Sequence, residues 1–147
     1  MIKAAFCDDD LSVLNELHVL MDNYRVERNQ EITYTAFHSP LELIAQIEKG
    51  MRFDILFLDV LMPGVNGIET AQEIREYDSA MKIIFLTSSA EYAVESYTVN
   101  AYFYQLKPIW PESFYRLMDS VLKECAQEQR RSLILRCKSG ITQISLD

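Results

Sequence analysis

Polar residues follow four short apolar runs of this 147-residue chain, at the point where each run ends. Residues 8–10 are three aspartates after "AAFC", Asp59 follows "DILFL", Thr87 follows "KIIFL", and Lys107 follows "AYFYQL". Adjacent carboxylates repel, and each disfavours the ionisation of its neighbours. A divalent cation among them offsets that cost, and Mg²⁺ binds through one or two carboxylates together with phosphate oxygens. This set of acids, hydroxyl and amine therefore predicts phosphoryl-transfer chemistry, provided that the four groups meet in space.

Each group has a role in such chemistry and also a simpler role. Asp59 could be a nucleophile that forms an acyl phosphate, with Lys107 and the cation neutralising the phosphoryl oxygens and Thr87 donating a hydrogen bond. Alternatively, residues 8–10 cap a helix, Asp59 lies in a turn, Thr87 caps the next helix and Lys107 is a solvated charge. Taken singly, the simpler roles are as good. Taken together, the four groups favour the phosphoryl-transfer site.

Five apolar runs alternate with amphipathic helical patterns, and this alternation explains how the four groups could meet. The predicted strands are 2–7, 32–37, 54–60, 82–87 and 101–106. The order βαβαβαβαβα predicts a doubly wound parallel sheet with helices on both faces. In such sheets the functional site lies at the carboxyl ends of the strands. The polar residues stand at those ends.

Several helix starts are also marked in the sequence. Ser39 is a candidate N-cap before Pro40, Asn66 is a second candidate, and Pro111 is suited to the first turn of the last helix. We also expect a helix at about 90–99, although its apolar residues do not fall on one stripe. Asp10 is the member of the aspartate triplet best suited to capping the first helix.

Composition limits the functional classes. The net charge of −8 argues against binding nucleic acid through this part alone, because phosphate contacts require Lys and Arg. Three distant cysteines without a C-x-x-C motif fit reduced thiols, and Cys7 fits a small core residue. The sequence contains neither a signal-peptide pattern nor a window of about 20 apolar residues. We therefore expect a cytoplasmic protein without a membrane partner.

Four motifs follow one another along the chain: "CDDD", "FDILFLDVLMPGVNGIE", "IIFLTSSAEYAVESY" and "AYFYQLKPI". Together they resemble a response-regulator receiver domain of the CheY-like type, and the resemblance covers about residues 2–125. It implies an α/β fold of the flavodoxin-like type, with a five-stranded parallel sheet in the order 2-1-3-4-5. It also implies that Asp59 is the phospho-acceptor of a two-component system.

The resemblance assigns a metal site and a conformational switch. Mg²⁺ would be bound by Asp8, Asp9, Asp59 and the backbone carbonyl of Leu61. This apolar side chain stands at a position that influences the lifetime of the phosphoryl group in the family.

Thr87 would be the switch hydroxyl, and Lys107 would pair with the phosphoryl group. The Lys107–Pro108 peptide bond would be cis. Tyr104 would swing inward when Thr87 moves, although a plain core role for this tyrosine is equally compatible with the sequence.

The resemblance further implies a mechanism and partners. A sensor histidine kinase would donate the phosphoryl group, the receiver would catalyse its own dephosphorylation, and the switch would control transcription. A homodimer formed on phosphorylation is consistent with the family. His18 and His38 stand in or near helical segments away from the strand ends, so neither is expected to donate the phosphoryl group.

The C-terminal residues suggest a second part. We predict a receiver over 1–128, a linker over 129–132 and a β-hairpin over 133–147, where "SLILRCKSGITQISLD" resembles the start of a LytTR-type DNA-binding domain. DNA would then be bound through that domain and not through the receiver. The chain would be part of a longer transcription regulator; alternatively it ends naturally, and the hairpin adds to the sheet or to a dimer partner.

Two other functions remain open from the sequence. The first is a phosphatase of the haloacid-dehalogenase type, which would use Asp8 as the nucleophile and Asp10 as its partner acid. This alternative leaves Asp59 and "MPGVNG" without a purpose. The second is a receiver that binds partners without being phosphorylated.

Overall fold

The computed structural model describes residues 1–138. Its strands are β1 (Ile2–Cys7), β2 (Ile32–Phe37), β3 (Ile55–Leu58), β4 (Leu61–Met62), β5 (Val65–Asn66), β6 (Lys82–Thr87) and β7 (Phe103–Leu106). Its α-helices are α1 (Leu11–Glu27), α2 (Pro40–Glu48), α3 (Gly67–Tyr77) and α4 (Pro111–Lys138), and a 3₁₀ helix spans Glu95–Val99.

Five parallel strands form one sheet in the order β2-β1-β3-β6-β7. This confirms the predicted order 2-1-3-4-5, because the two short strands β4 and β5 pair only with each other, as an antiparallel hairpin. Helices α1 and α4 contribute to one hydrophobic cluster, and α2 and α3 contribute to a second. The sheet lies between these two cores, so β3 is buried on both faces, as its unbroken apolar run "ILFL" requires.

Local capping fixes where the helices nearest the strand ends begin. The carboxylate of Asp10 accepts a hydrogen bond from the Ser12 N–H at 2.9 Å, and the Asn66 side chain accepts one from the Ile68 N–H at 2.7 Å. Both predicted caps are therefore confirmed. Ser39 occupies the N-cap of α2, but its side chain makes no capping bond. Helix α4 begins at Pro111, as predicted.

The predicted α-helix at 90–99 is wrong. Its first half forms turns, and only Glu95–Val99 winds into a 3₁₀ helix. Ser96 and Val99 are buried, whereas Val94 and Tyr97 are 79% and 82% exposed. With so few side chains packed on the core, tertiary contacts add little to the stability of an α-helix here.

The predicted strand at 133–138 is wrong. Helix α4 continues through these residues, and the predicted linker 129–132 is also helical. Arg131, in this extension, forms an ion pair with Glu124, and Lys82 is bound to Glu128 immediately before it. The rest of the predicted hairpin, 139–147, lies outside the described residues, and the domain boundary stays a prediction.

Within residues 1–138, no helix combines the length and the apolar character that crossing a membrane requires.

Candidate functional site

The sheet brings the predicted site residues to one edge. Asp8 and Asp59 directly follow the neighbouring strands β1 and β3, Thr87 ends β6, and Lys107 directly follows β7. Asp8, Asp59 and Thr87 are 2%, 4% and 0% exposed, whereas Asp9 is exposed. Two buried acids, a buried hydroxyl and a lysine therefore lie at the carboxyl ends of the strands. Asp9 lies at the same edge and is exposed to solvent.

Lys107 links the two buried carboxylates. Its Nζ lies 2.9 Å from Asp8 Oδ2 and 3.0 Å from Asp59 Oδ2. Burial lowers the pKa of Lys107, but the hydrogen bonds to Asp8 and Asp59 outweigh burial and raise it. The amine is therefore a fixed positive charge between the two acids. Burial raises the pKa of Asp8, and the Lys107 and Asp10 hydrogen bonds only partly oppose that change.

Three carboxylates form a cluster suited to a cation. Oxygen atoms of Asp8, Asp9 and Asp59 lie within 4.8 Å of one another. Clustered carboxylate oxygens are the hard ligands that Mg²⁺ prefers, so the donor set fits that ion. Asp10 points elsewhere, since its carboxylate is occupied by the Ser12 N–H and hydroxyl at the start of α1.

Backbone amides hold the two buried acids in place. Asp8 Oδ1 accepts a hydrogen bond from the Asp10 N–H at 2.9 Å, and Asp59 Oδ1 accepts one from the Leu61 N–H at 3.1 Å. Leu61 then pairs with Asn66 across the β4–β5 hairpin. Its side chain is 44% exposed beside the site and offers no polar group.

Gly67 is a site-supporting residue that the sequence analysis missed. Its N–H donates to the Val60 carbonyl at 2.8 Å, which closes the hairpin back onto the end of β3. A Cβ at this position would lie 2.1 Å from the Asp59 carbonyl oxygen and 2.7 Å from Val60 Cα. Only glycine permits this approach. The signal that could have found it is the turn sequence "MPGVNG" immediately after Asp59.

Thr87 and Tyr104 meet at the loop after β6. The Ser89 N–H donates to Thr87 Oγ1 at 3.4 Å, and the Tyr104 hydroxyl donates to the Ser89 carbonyl. The ring of Tyr104 is half-buried, with its centroid 6.0 Å from that of Phe85. Burial raises the pKa of Tyr104, which therefore stays a hydrogen-bond donor. The candidate switch tyrosine is thus joined to the loop that carries the candidate switch hydroxyl.

The peptide bond between Lys107 and Pro108 is cis, as the family resemblance implies. Trp110, two residues beyond Pro108, is 66% exposed. It lines a groove of about 580 Å³ between the start of α4 and α1, together with Val19, which is 55% exposed. The sequence analysis did not identify this apolar surface, because it forms only when two elements distant in sequence pack side by side.

The sequence analysis assigns no role in the site chemistry to Cys7 or to the two histidines. Burial and the nearby carboxylates raise the pKa of Cys7 to about 12, so its thiol stays protonated in the core, as predicted. His18, on α1, bonds to the Tyr34 hydroxyl and to Asp22. The predicted position of His38 away from the strand ends is wrong, because His38 directly follows β2.

Comparison with known proteins identifies the same region. The sequence profile described as "Response regulator receiver domain" matches residues 5–121. The sensory transduction protein LytT of Oceanobacillus iheyensis is 38% identical over 80 residues, which cover 53% of this chain and 32% of LytT. The transcriptional regulatory protein YpdB of Escherichia coli K12 is 32% identical over 104 residues, which cover 65% of this chain and 42% of YpdB. The matches thus span less than half of either relative.

Solved structures share the fold. The response regulatory domain of mrkE from Klebsiella pneumoniae superposes with a TM-score of 0.76 at 23% identity, over 86% of this chain and 99% of that domain. A CheY-like receiver domain from Methanospirillum hungatei gives a TM-score of 0.73 at 24% identity, over 87% of this chain and 98% of the other. At these identities the likeness supports the fold alone.

Proposed function

Because the receiver profile covers residues 5–121, this chain belongs to the response-regulator receiver family, and we propose that it accepts a phosphoryl group on Asp59 from the phosphohistidine of a sensor histidine kinase. One observation carries the assignment of Asp59. Its buried carboxylate lies at the end of a central strand, held by Lys107 at 3.0 Å and by the Leu61 N–H at 3.1 Å. A carboxylate fixed in this way can attack without first finding its orientation.

The transfer exchanges one bond for another. A carboxylate oxygen of Asp59 attacks phosphorus, the bond from phosphorus to the imidazole nitrogen breaks, and that nitrogen leaves with its electron pair and takes up a proton. Asp59 becomes an acyl phosphate. Lys107 moves from the carboxylates toward the incoming phosphoryl oxygens, whose negative charge it neutralises. The Thr87 hydroxyl donates a hydrogen bond to one of them.

Magnesium binding is part of the proposal. Asp8, Asp9 and Asp59 would hold the ion together with the carbonyl of Leu61, and the three carboxylates already lie within reach of one centre. When bound, the ion neutralises charge on the acids and on the phosphoryl oxygens.

Phosphorylation would act as a switch. Thr87 would move toward the phosphoryl group and draw with it the Ser89 loop, to which Tyr104 is bonded. The sequence resemblance extends this to a phosphorylation-dependent homodimer and to self-catalysed dephosphorylation. At Leu61 the chain offers no polar side chain for positioning the hydrolytic water.

The output we propose is transcriptional control through a LytTR-type DNA-binding domain C-terminal to the receiver. The names of the relatives LytT and YpdB support this proposal. The receiver itself, with a chain net charge of −8, would not bind DNA. The buried free thiols of Cys7 and Cys125 fit a reducing compartment, and we propose the cytoplasm.

Labelling with a small phosphodonor tests the proposal. Incubation with acetyl phosphate and Mg²⁺ should add the mass of one phosphoryl group to the intact protein, and Asp59→Asn should abolish the gain. Asp54→Asn is the matched control, because Asp54 lies at the opposite end of the same strand, where it accepts a hydrogen bond from the Lys3 N–H. Equal labelling of wild-type protein and Asp59→Asn would contradict the proposal.

The same experiment separates the alternatives. A receiver that only binds partners would gain no mass. Family membership contradicts the haloacid-dehalogenase alternative, and the structure places Asp10, its second acid, in a helix cap rather than in the site.

A further inference from the structure

The segment between β6 and β7 is held at its C-terminal end by an arginine from another element. Arg75, on α3, donates from Nε to the Val99 carbonyl at 2.8 Å and from Nη2 to the Asn100 carbonyl at 3.1 Å. Its Nη1 donates to the Asp78 carbonyl at 3.2 Å, at the end of its own helix. One guanidinium therefore ties the end of the 3₁₀ helix to the end of α3.

These bonds occur where the backbone most needs partners. Asn100 adopts a left-handed conformation with φ of 53°, which ends the 3₁₀ helix and leaves its last carbonyls without helical partners. Arg75 is partly buried, and within residues 1–138 it forms no ion pair with a carboxylate. Burial accordingly lowers its pKa. The bound carbonyl groups are therefore the main compensation for burying the Arg75 charge. We call the bonds from Arg75 to these carbonyls the Arg75 clamp. Breaking it costs free energy for the guanidinium and for the carbonyls.

The other end of the segment is tied to the candidate switch. Ser89 bonds to Thr87 through its N–H and to Tyr104 through its carbonyl. Between Ser89 and Val99 the chain forms only turns and the short 3₁₀ helix, and Val94 and Tyr97 are largely exposed. If Thr87 moves, the chain between Ser89 and Val99 must therefore change conformation, because Arg75 holds its far end.

We propose that the Arg75 clamp opposes the movement of the 88–101 segment and so sets the free-energy cost of switching. The inference rests on the proposed function, in which Thr87 moves when Asp59 is phosphorylated. The Arg75 clamp is present in a structure in which Asp59 is not phosphorylated and its carboxylate is bonded to Lys107. Weakening it lowers the cost of rearrangement, and a ligand that favours the rearranged state then binds more tightly. Arg75 is a positioning residue, which touches neither the phosphoryl group nor the metal site.

Two variants and a control test the clamp. Arg75→Gln removes the charge and most of the donors, and Arg75→Lys keeps the charge with a single nitrogen, which cannot reach the three carbonyls together. Arg52→Gln is the matched control, because Arg52 also donates to two backbone carbonyls, those of Ile47 and Met51, both at 2.9 Å, outside this segment.

The first readout is hydrogen–deuterium exchange without any phosphodonor. The amides of Asn100 and Ala101, which donate to Tyr97 and Ser96, should exchange faster in Arg75→Gln than in wild-type protein and Arg52→Gln. The second readout is calorimetric titration with beryllofluoride in the presence of Mg²⁺. Arg75→Gln should bind on the order of tenfold more tightly than wild type, within the usual range of coupling between sites, and Arg75→Lys should lie between them.

The two readouts separate this inference from the proposed function. Unchanged exchange at Asn100 and Ala101 would overturn the clamp, and so would faster exchange combined with equal or weaker beryllofluoride affinity, which is what a merely structural arginine gives. Wild-type protein that binds no beryllofluoride would contradict the proposed function itself, and the exchange experiment would still decide whether the clamp exists.

Discussion

Replacing Gly67 by alanine should damage the acceptor site without removing any reacting group. The new Cβ would lie 2.1 Å from the Asp59 carbonyl oxygen, whereas ordinary contact begins at 3.4 Å, so one of the two backbones must shift by about 1.3 Å. Asp59 cannot shift by that amount and keep its 3.0 Å contact with Lys107. A misplacement of about 1 Å commonly costs about 100-fold in rate, and we expect Gly67→Ala to slow acetyl-phosphate labelling by about that factor.

Stability must be measured beside the rate. Overpacking of a tight site costs about 1–3 kcal/mol, which lowers the melting temperature by about 2–4 °C for each kcal/mol in a chain of this size. Gly50→Ala is the control, since Gly50 has φ of 103° and open space around it, so alanine there strains the backbone far from the site. We expect the Gly50→Ala protein to lose comparable stability and to keep the wild-type labelling rate.

The rates of the two variants decide the question. Folded Gly67→Ala protein that is labelled as fast as wild type would refute the reasoning, because it would show that the end of β3 accommodates the Cβ without moving Asp59. Equal slowing in Gly50→Ala and Gly67→Ala would also refute it, since loss of stability alone would then explain both.

Further perturbations test other parts of the structure. Asp8→Ala or Asp9→Ala should weaken Mg²⁺ binding and slow labelling, and unchanged metal titrations in both would contradict the carboxylate cluster. Trp110→Ala should slow transfer from a phosphohistidine donor protein while leaving acetyl-phosphate labelling unchanged, because Trp110 lines an exposed groove and is not one of the reacting groups. Transfer from the donor protein at the wild-type rate would show that the groove is not used. A gel shift with promoter DNA should show no specific, salt-resistant complex with the receiver. The hydrogen bond from Tyr24 lowers the pKa of Asp119, so the carboxylate stabilises the fold above its unfolded pKa and loses this contribution as pH falls through its folded pKa. Urea unfolding of Asp119→Asn should therefore show a deficit relative to wild type at pH 7 that narrows below about pH 5, and a pH-independent deficit would contradict this.

Most of the sheet could be predicted from the sequence, because its signal is local. The bounds predicted for β1, β2 and β6 are those observed, since each run rich in apolar residues gives way to polar residues where the strand ends. The same local rule placed Asp59, Thr87 and Lys107 at strand ends. The strand order required the family resemblance, and the structure confirms it.

What the sequence did not reveal depends on contacts between distant residues. The 90–99 region contains good helix formers, yet the structure shows turns and a short 3₁₀ helix. The last carbonyl of this helix, on Val99, is bound by Arg75, which lies 24 residues earlier in the chain. The need for glycine at position 67 arises from its approach to the Asp59 backbone, which is visible only once the hairpin is closed. Glu128, the residue of α4 just before its extension, is bound by Lys82, which lies 46 residues earlier in the chain.

Direct identification of the phosphorylated residue is the most decisive measurement. The protein would be labelled with acetyl phosphate and Mg²⁺, the acyl phosphate reduced with borohydride, and the digest sequenced by mass spectrometry. A reduced aspartate at position 59, and unmodified aspartates at 8, 9 and 10, is the result we predict. Modification at Asp8, or full labelling with an intact Asp59 carboxylate, would contradict the assignment of Asp59 as the phospho-acceptor.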